Sequence, residues 1–409
     1  MIKRKKKMLI VITDLGLAGA QKSLVSFCNV LFERYPDLFD IDLMILTEEG
    51  EFISQLPSKC RIIPTPKELI CMKCSIGGTK FWKNISIKGL SGRIMRIGLK
   101  KWYYLKNKEL NDEQIQWLQW KPFIGSLPIK YDIAMSYIDG TCNYYVIEKV
   151  KAVRKILWVH NEYEKLGYNA EFDRSYFQSA DAIATISDIC VANLVKYFPD
   201  MKKKIIMVEN ITSEKMIYDL ADEFFPEEYK NYNGNKILSI GRLTTQKNFQ
   251  LAINAARILK EKKIDFIWYI IGEGTLKEEL FKEIEKCDVQ KNVVLLGSRR
   301  NPYPYIKYAD FFVQTSKFEG KSIVLDEAKI LKKIIVSTNY DTVYDTIENQ
   351  KNGIIANMTP EDVANAILLL LTNSVLKNSI TGYLENTVKG NEEVIDKYIE
   401  CLLGVKEIG

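Results

Sequence analysis

Short aliphatic and β-branched runs alternate with helix-length segments of mixed polarity along almost the whole chain, the pattern of βαβ units and parallel sheets. Two series separate. In the first, residues 8–13, 41–46, 132–137, 156–159, 182–187 and 205–208 read as strands. In the second, residues 236–240, 266–271, 293–296, 311–315, 334–336 and 353–355 do. Right-handed crossovers make each series a doubly wound sheet whose ligands lie beyond the carboxyl ends of the strands. The expected fold class is therefore α/β, two Rossmann-like domains facing each other across a cleft. Residues 1–208 form the first domain, with a basic insertion at about 59–110. Residues 209–235, turn-rich with Pro226, Asn231, Asn233 and Gly234, read as a linker, and residues 236–388 as the second domain. Residues 389–409 carry an amphipathic helical pattern expected to cross back to the first domain.

Composition narrows the class. A chain of 409 residues, 47% hydrophobic and 27% charged, is no disordered, collagenous or coiled-coil protein. The net charge is only +6, but residues 59–110 hold 13 Lys or Arg against Glu68 and Glu109, and residues 3–7 are all basic. The remainder of the chain is therefore acidic, and the positive charge is a patch. Within it Ile87, Leu90, Ile94 and Ile97 keep helical spacing between Lys88, Arg93, Arg96, Lys100 and Lys101, with Trp102, Tyr103 and Tyr104 following. A basic amphipathic helix with aromatic neighbours suits an anionic membrane surface. The same stripe also fits a helix packed on its own domain. No nucleic-acid partner is expected, because no recognised module accompanies the patch.

The basic start and the apolar run 8–12 imitate a signal peptide, but Asp14 interrupts them too early, and no run is long enough to span a membrane. The expected location is cytoplasmic, peripheral on the inner face of the plasma membrane. Eight scattered cysteines fit reduced thiols. Cys71 and Cys74 form a CxxC, yet only Cys60 lies near and His160 is the sole histidine, so no metal site is expected.

Two segments of the second half carry chemistry. Gly241-Arg242-Leu243-Thr244-Thr245-Gln246-Lys247-Asn248 lies between a strand and a helix start, where backbone N–H groups, a guanidinium and an ammonium suit a diphosphate. Downstream, Glu319 falls in the loop after strand 311–315 and Glu327, eight residues on, about one turn into the next helix. Carboxylates placed there accept hydrogen bonds from vicinal hydroxyls, and Gly320 permits close backbone approach. Either segment alone also fits an ordinary surface loop; together in one doubly wound half they specify a site.

The second half resembles the C-terminal domain of the family 4 glycosyltransferases, retaining enzymes of the GT-B fold. Four segments carry the resemblance: Gly241-Arg242-Leu243 with Lys247-Asn248, Ile271-Gly272-Glu273-Gly274 with Leu276, Glu319 through Glu327, and Asn352-Gly353 after Asp345. It implies that Arg242 and Lys247 bind the donor diphosphate and act in catalysis. It further implies that Glu319 binds hydroxyls of the transferred sugar and Glu327 the ribose, with Gly320, Lys321, Ser322 and Ile323 lining the donor site. In the first half Ala18-Gly19-Ala20-Gln21-Lys22 stands where the family has a Gly-Gly-Ala loop, so Gly19 would approach donor and acceptor. By the same resemblance His160 contacts the donor sugar; a structural cap at the strand end is the other reading. Asp139 and Asn161 are candidate acceptor contacts. Gly320-Lys321-Ser322 departs from the family's Gly-Phe-Gly, and Ala18 replaces a glycine; both bear on the choice of sugar.

The expected activity is retaining transfer of a hexose from a nucleotide diphosphate sugar, with uridine as the base, to a lipid-linked oligosaccharide of a surface polysaccharide. No cofactor is required; the nucleotide sugar is a substrate. A catalytically silent nucleotide-sugar-binding partner and a nucleotide-sugar epimerase share the fold and remain alternatives. A nicotinamide dehydrogenase does not fit, since Gly272-Glu273-Gly274 lacks the third glycine of a dinucleotide fingerprint.

Overall fold

The computed structural model describes residues 4–16, 18–73, 78–95, 109–319 and 322–404. The chain divides into two compact units, Met1–Ile211 with Glu393–Gly409, and Thr212–Glu392.

The first unit is built on a seven-stranded sheet of β1 (Lys6–Ile12), β2 (Phe39–Ile45), β3 (Arg61–Ile63), β4 (Lys130–Ser136), β5 (Lys151–Val159), β6 (Ala182–Thr185) and β7 (Ile205–Met207), in the order β3-β2-β1-β4-β5-β6-β7. All pairings are parallel; Met8, for example, stands opposite both Ile41 and Ile133. Residues Met8 to Ile12 are completely buried, as a strand covered by helices on both faces requires. The second unit holds a six-stranded sheet of β8 (Asn235–Ile240), β9 (Phe266–Ile271), β10 (Val293–Gly297), β11 (Phe311–Gln314), β12 (Ile334–Thr338) and β13 (Ile354–Ala356), in the order β10-β9-β8-β11-β12-β13.

Both orders reverse direction at one place. In the first sheet β1 lies between β2 and β4, and in the second β8 lies between β9 and β11. Crossovers leave these strands on opposite faces, opening a crevice at the carboxyl ends, the position where doubly wound sheets bind ligands.

Three expectations are corrected. Residues 61–63 form a seventh strand, β3, whose exposed Arg61 and Ile62 hide any alternation in so short an edge. Residues 209–235 are not a linker. Ser213 caps the helix Glu214–Ala221, and Ile217, Ala221 and Tyr229 pack with Leu238, Phe312 and Ile335 in the second unit's core. The chain passes between units at Ile211/Thr212 and Glu392/Glu393 instead. The apolar stripe of the basic helix is not its packed face. Residues 87–95 are helical, and the buried side is Gly89 and Gly92, where an added Cβ would come within 2.6 Å of Cys71 and 2.4 Å of Met72. Ile87 and Ile94 point outward, 85% and 70% exposed. Arg96, Ile97, Lys100, Lys101, the aromatics 102–104 and Cys74 lie outside the described residues.

The helix Ile395–Leu403 belongs to the first unit. Tyr398 stacks on Phe27 at 4.7 Å, and its hydroxyl lies 3.0 Å from that of Tyr137. Arg154 donates to the carbonyl of Cys401.

Candidate functional site

In the second unit the switch point lies between β8 and β11, and the turns that follow these strands meet there. The turn after β8 is shaped by its neighbour after β9. Leu243 N–H donates to the Glu273 carbonyl at 2.9 Å, and Gly272 (φ 152°) passes so close that a Cβ would lie 1.9 Å from the Gly241 carbonyl oxygen. Asn248 takes a left-handed conformation (φ 51°) and the helix Phe249–Glu261 begins behind it. Asparagine tolerates that conformation better than most residues.

The loop after β11 is tied to this turn by main-chain and side-chain bonds. Lys317 N–H donates to the Gln246 carbonyl at 2.8 Å, and Thr315 Oγ1 donates to the Lys247 carbonyl at 3.0 Å. Lys247 Nζ then reaches Glu319 Oε1 at 2.6 Å, with 15% and 9% of the two side chains exposed. Ser316 Oγ donates to the same oxygen at 2.6 Å, and Gln314 Nε2 approaches it at 3.3 Å while also donating to Ser322 Oγ at 2.8 Å. Thr342 Oγ1 holds the Glu319 carbonyl. Charge-assisted bonds of this kind fix a carboxylate's direction.

Arg242 is exposed, and its guanidinium makes no hydrogen bond or ion pair among the described residues. An unpaired guanidinium beside a lysine and helix-start N–H groups suits a phosphate. Glu327 is 1% exposed in the helix Ile323–Ile330 and accepts from Tyr303 Oη at 3.0 Å. Glu319 and Glu327 thus flank one helix start through different sets of partners. Ser322 stands at the N-cap position of that helix without a side-chain capping bond, and Ile323 is its first residue; Gly320 and Lys321 lie outside the described residues.

In the first unit the switch point lies between β1 and β4. Gly19 is exposed and opens the helix Gly19–Arg34 after the loop that follows β1. Ala18 is extended (φ −136°), a conformation any residue adopts, so the missing glycine costs nothing there. Asp14 Oδ1 braces the loop, accepting from Gly16 N–H at 2.9 Å and Gln21 Nε2 at 3.2 Å. Asp139 follows β4. His160 and the exposed Asn161 follow β5.

His160 is 6% exposed and packs against Tyr137 and Trp158, with ring centroids 5.2 and 6.1 Å away. Its Nε2 is buried without a partner among the described residues. Burial pushes its pKa down to about 3, so the ring is neutral. Asp139 is pushed up to about 7 by burial and by the neighbouring Glu113 carboxylate.

The turns after β8, β9 and β11 place two cations and a sequestered acid at one switch point, and the sequence of this unit matches the family model for glycosyl transferases group 1 over residues 221–386. Over that segment the chain is similar to the group 1 glycosyl transferases. An uncharacterized glycosyltransferase of Methanocaldococcus jannaschii is 30% identical over 46% of this chain; the chain spans about half of that relative, 48%. A Campylobacter jejuni alpha-N-acetylgalactosaminyltransferase, named for a diphospho-undecaprenol-linked saccharide, is 27% identical over 82% of this chain and 81% of its own. Among solved structures, Anabaena HepE in complex with UDP and glucose superposes with a TM-score of 0.68 at 13% identity, covering 98% of this chain and 100% of that one. This likeness shows the fold, two parallel-sheet units of the GT-B type.

The sequence did not single out Gln246, Gln314, Ser316 and Thr342, which orient Glu319, or Tyr303, which holds Glu327. Gln314 and Ser316 carry a local signal, polar residues ending an apolar strand. Tyr303 carries none, since only the fold brings it to Glu327 across 24 residues of chain.

Proposed function

We propose that the chain is a retaining hexosyltransferase that moves a sugar from a nucleotide diphosphate sugar, with uridine as its base, to a lipid-linked saccharide in surface polysaccharide synthesis. The observation that carries this reading is the meeting of Arg242, Lys247 and Glu319 at the switch point of the second unit, the one similar to the group 1 glycosyl transferases. In it the donor diphosphate takes Arg242 and Lys247, Glu319 accepts from hydroxyls of the transferred sugar, and Glu327 from the ribose.

The anomeric carbon–oxygen bond to the diphosphate breaks and the acceptor oxygen bonds to that carbon on the same face. The acceptor's proton passes to the departing phosphate oxygen. Arg242 and Lys247 stabilise the charge that grows on that oxygen, the electrostatic contribution that dominates many such reactions. His160, neutral at working pH, serves as a hydrogen-bond acceptor for a sugar hydroxyl and moves no proton. The step requires no cofactor.

The lipid-linked acceptor is supported by the Campylobacter jejuni relative's name. A membrane location on the cytoplasmic face is supported by the outward Ile87 and Ile94, with Trp82 62% and Ile85 44% exposed among the exposed Lys83 and Lys88. No single helix among the described residues is long and apolar enough to cross a membrane, so the reading is of surface attachment.

The test is a thermal-shift panel with UDP, GDP, ADP, CMP and their sugar conjugates on the wild type, Arg242→Ala and Glu327→Ala. A nucleotide at a hundred times its Kd stabilises by about 2.7 kcal/mol. A shift specific to uridine nucleotides and lost in both variants is expected, with retention read from the anomeric signal of the product by NMR. No shift with any nucleotide, or an inverted product, would sink the proposal.

A further inference from the structure

The two carboxylate oxygens of Glu319 are unequally supplied with donors. Oε1 accepts from Lys247 Nζ at 2.6 Å, from Ser316 Oγ at 2.6 Å and from Gln314 Nε2 at 3.3 Å. Oε2 accepts, among the described residues, from Gln246 Nε2 alone, and at 3.4 Å that bond is long. A carboxylate has about two lone-pair sites on each oxygen. Oε1 is therefore filled, and Oε2 is the oxygen with acceptor capacity to spare.

Gln246 stands beside that oxygen, in the turn that carries Arg242 and Lys247. Its main chain is tied to the loop after β11, the carbonyl accepting from Lys317 N–H at 2.8 Å. The same Nε2 that approaches Glu319 donates to the Phe318 carbonyl at 2.9 Å, a bond at the exposed surface of the loop. Phe318 itself is 45% exposed. The Gln246 amide is thus oriented by main chain and still within reach of a ligand. Its Oε1 has no partner among the described residues.

A carboxylate oxygen accepts from any hydroxyl that reaches it, so Oε2 by itself discriminates little between sugars. A side-chain amide offers one acceptor and two donors in fixed geometry. Next to Oε2, it meets the substituent on the neighbouring sugar carbon in one orientation and is left unpaired by the other. A polar group that the wrong substrate leaves unpaired is a strong source of selectivity.

We infer that Gln246 is a specificity-determining residue of the donor site, reading the sugar substituent next to the hydroxyl that Glu319 Oε2 accepts. The inference rests on the glycosyl-transfer reading and adds to it the residue that chooses among sugars.

The experiment measures, by calorimetry on the full chain, the Kd of UDP and of its glucose, galactose, N-acetylglucosamine and N-acetylgalactosamine conjugates for the wild type and Gln246→Ala. The side chain is partly exposed, so its removal opens no core, and circular dichroism with a melting curve checks folding. The wild type is expected to prefer one conjugate. In Gln246→Ala that conjugate binds about tenfold more weakly while the other three change by less than about twofold, and UDP is unaffected. A residue that merely steadied Glu319 would weaken all four conjugates alike, so a uniform loss overturns the inference. An unchanged preference overturns it as well, as does a wild type that prefers none of the four. Loss of UDP binding in the variant also overturns it, because Gln246 would then shape the phosphate turn. Failure of the wild type to bind UDP sinks the donor reading itself, which every other outcome leaves standing.

Discussion

Lys247 Nζ and Glu319 Oε1 stand 2.6 Å apart, joining the turn after β8 to the loop after β11 across 72 residues of sequence. The ammonium and the carboxylate neutralise each other and hold one another in place. On the proposed function, a donor diphosphate would compete for Lys247 and the sugar's hydroxyls would replace what Glu319 then loses.

Removing one partner leaves the other poorly compensated in a largely buried place. Lys247→Met should destabilise the protein by about 1 to 3 kcal/mol and abolish the UDP shift. Glu319→Gln should keep UDP binding but lose the added stabilisation a sugar conjugate gives over UDP alone. Denaturant unfolding of the two single variants and the double variant measures the coupling, and additive losses would show that the pair does not interact.

The turn after β8 depends on Gly272. Gly272→Ala introduces a Cβ that overlaps the Gly241 carbonyl oxygen and must hold a backbone angle that L side chains rarely adopt. The expected cost is at least about 2 kcal/mol, with a weaker UDP shift because Arg242 moves with its turn. A melting curve unchanged from wild type would refute this.

Tyr303 is one donor that the fold supplies to Glu327. Tyr303→Phe removes one hydrogen bond from a buried carboxylate, costing about 1 kcal/mol of stability and, if Glu327 holds the ribose, several-fold in UDP affinity. Comparison with 2′-deoxy-UDP separates the roles. The variant should discriminate less between the two nucleotides than wild type does.

Asp139 and His160 make opposite contributions to stability against pH. Asp139 keeps its proton up to about pH 7 when folded against a usual 3.8, so its contribution is present at low pH and lost as pH rises through 7. His160 stays neutral down to about pH 3 against a usual 6.5, so its contribution is present above 6.5 and lost as pH falls. Between the carboxylate's ordinary range and 6.5 the two slopes oppose. Asp139→Asn should unmask a stability that climbs with pH by up to about 1.4 kcal/mol per unit, and His160→Gln one that falls. Flat urea-unfolding profiles in both variants would show that neither group is shifted.

The outward face of residues 87–95 gives a membrane test. The chain should sediment with anionic liposomes at low salt and be released as salt screens the patch. Ile87→Ser and Trp82→Ala should weaken retention without moving the UDP shift. Full retention by both variants would place the attachment elsewhere.

Twelve of the thirteen strands are legible as apolar runs, because a strand buried on both faces must be apolar throughout. The placement of Arg242, Lys247, Glu319 and Glu327 after strands β8 and β11 is legible too, since charged residues at strand ends stand out against apolar neighbours. Which strands adjoin is not local. The orders β2-β1-β4 and β9-β8-β11 create the switch points, and only they turn separate loops into a site. The partners of the charged residues, Ser316 and Gln314 on Glu319, Tyr303 on Glu327, and Glu113 with Tyr168 around Asp139, arise from packing between distant segments. So does the burial that keeps His160 neutral and raises Asp139. A helix's hydrophobic spacing likewise does not say which face is covered: Gly89 and Gly92, with the least side chain, make the closest contact, and Ile87 and Ile94 face out. Sequence set the elements and the charged groups at their ends; tertiary structure decided their neighbours, and hydrogen bonding and desolvation by those neighbours decide what each group can do.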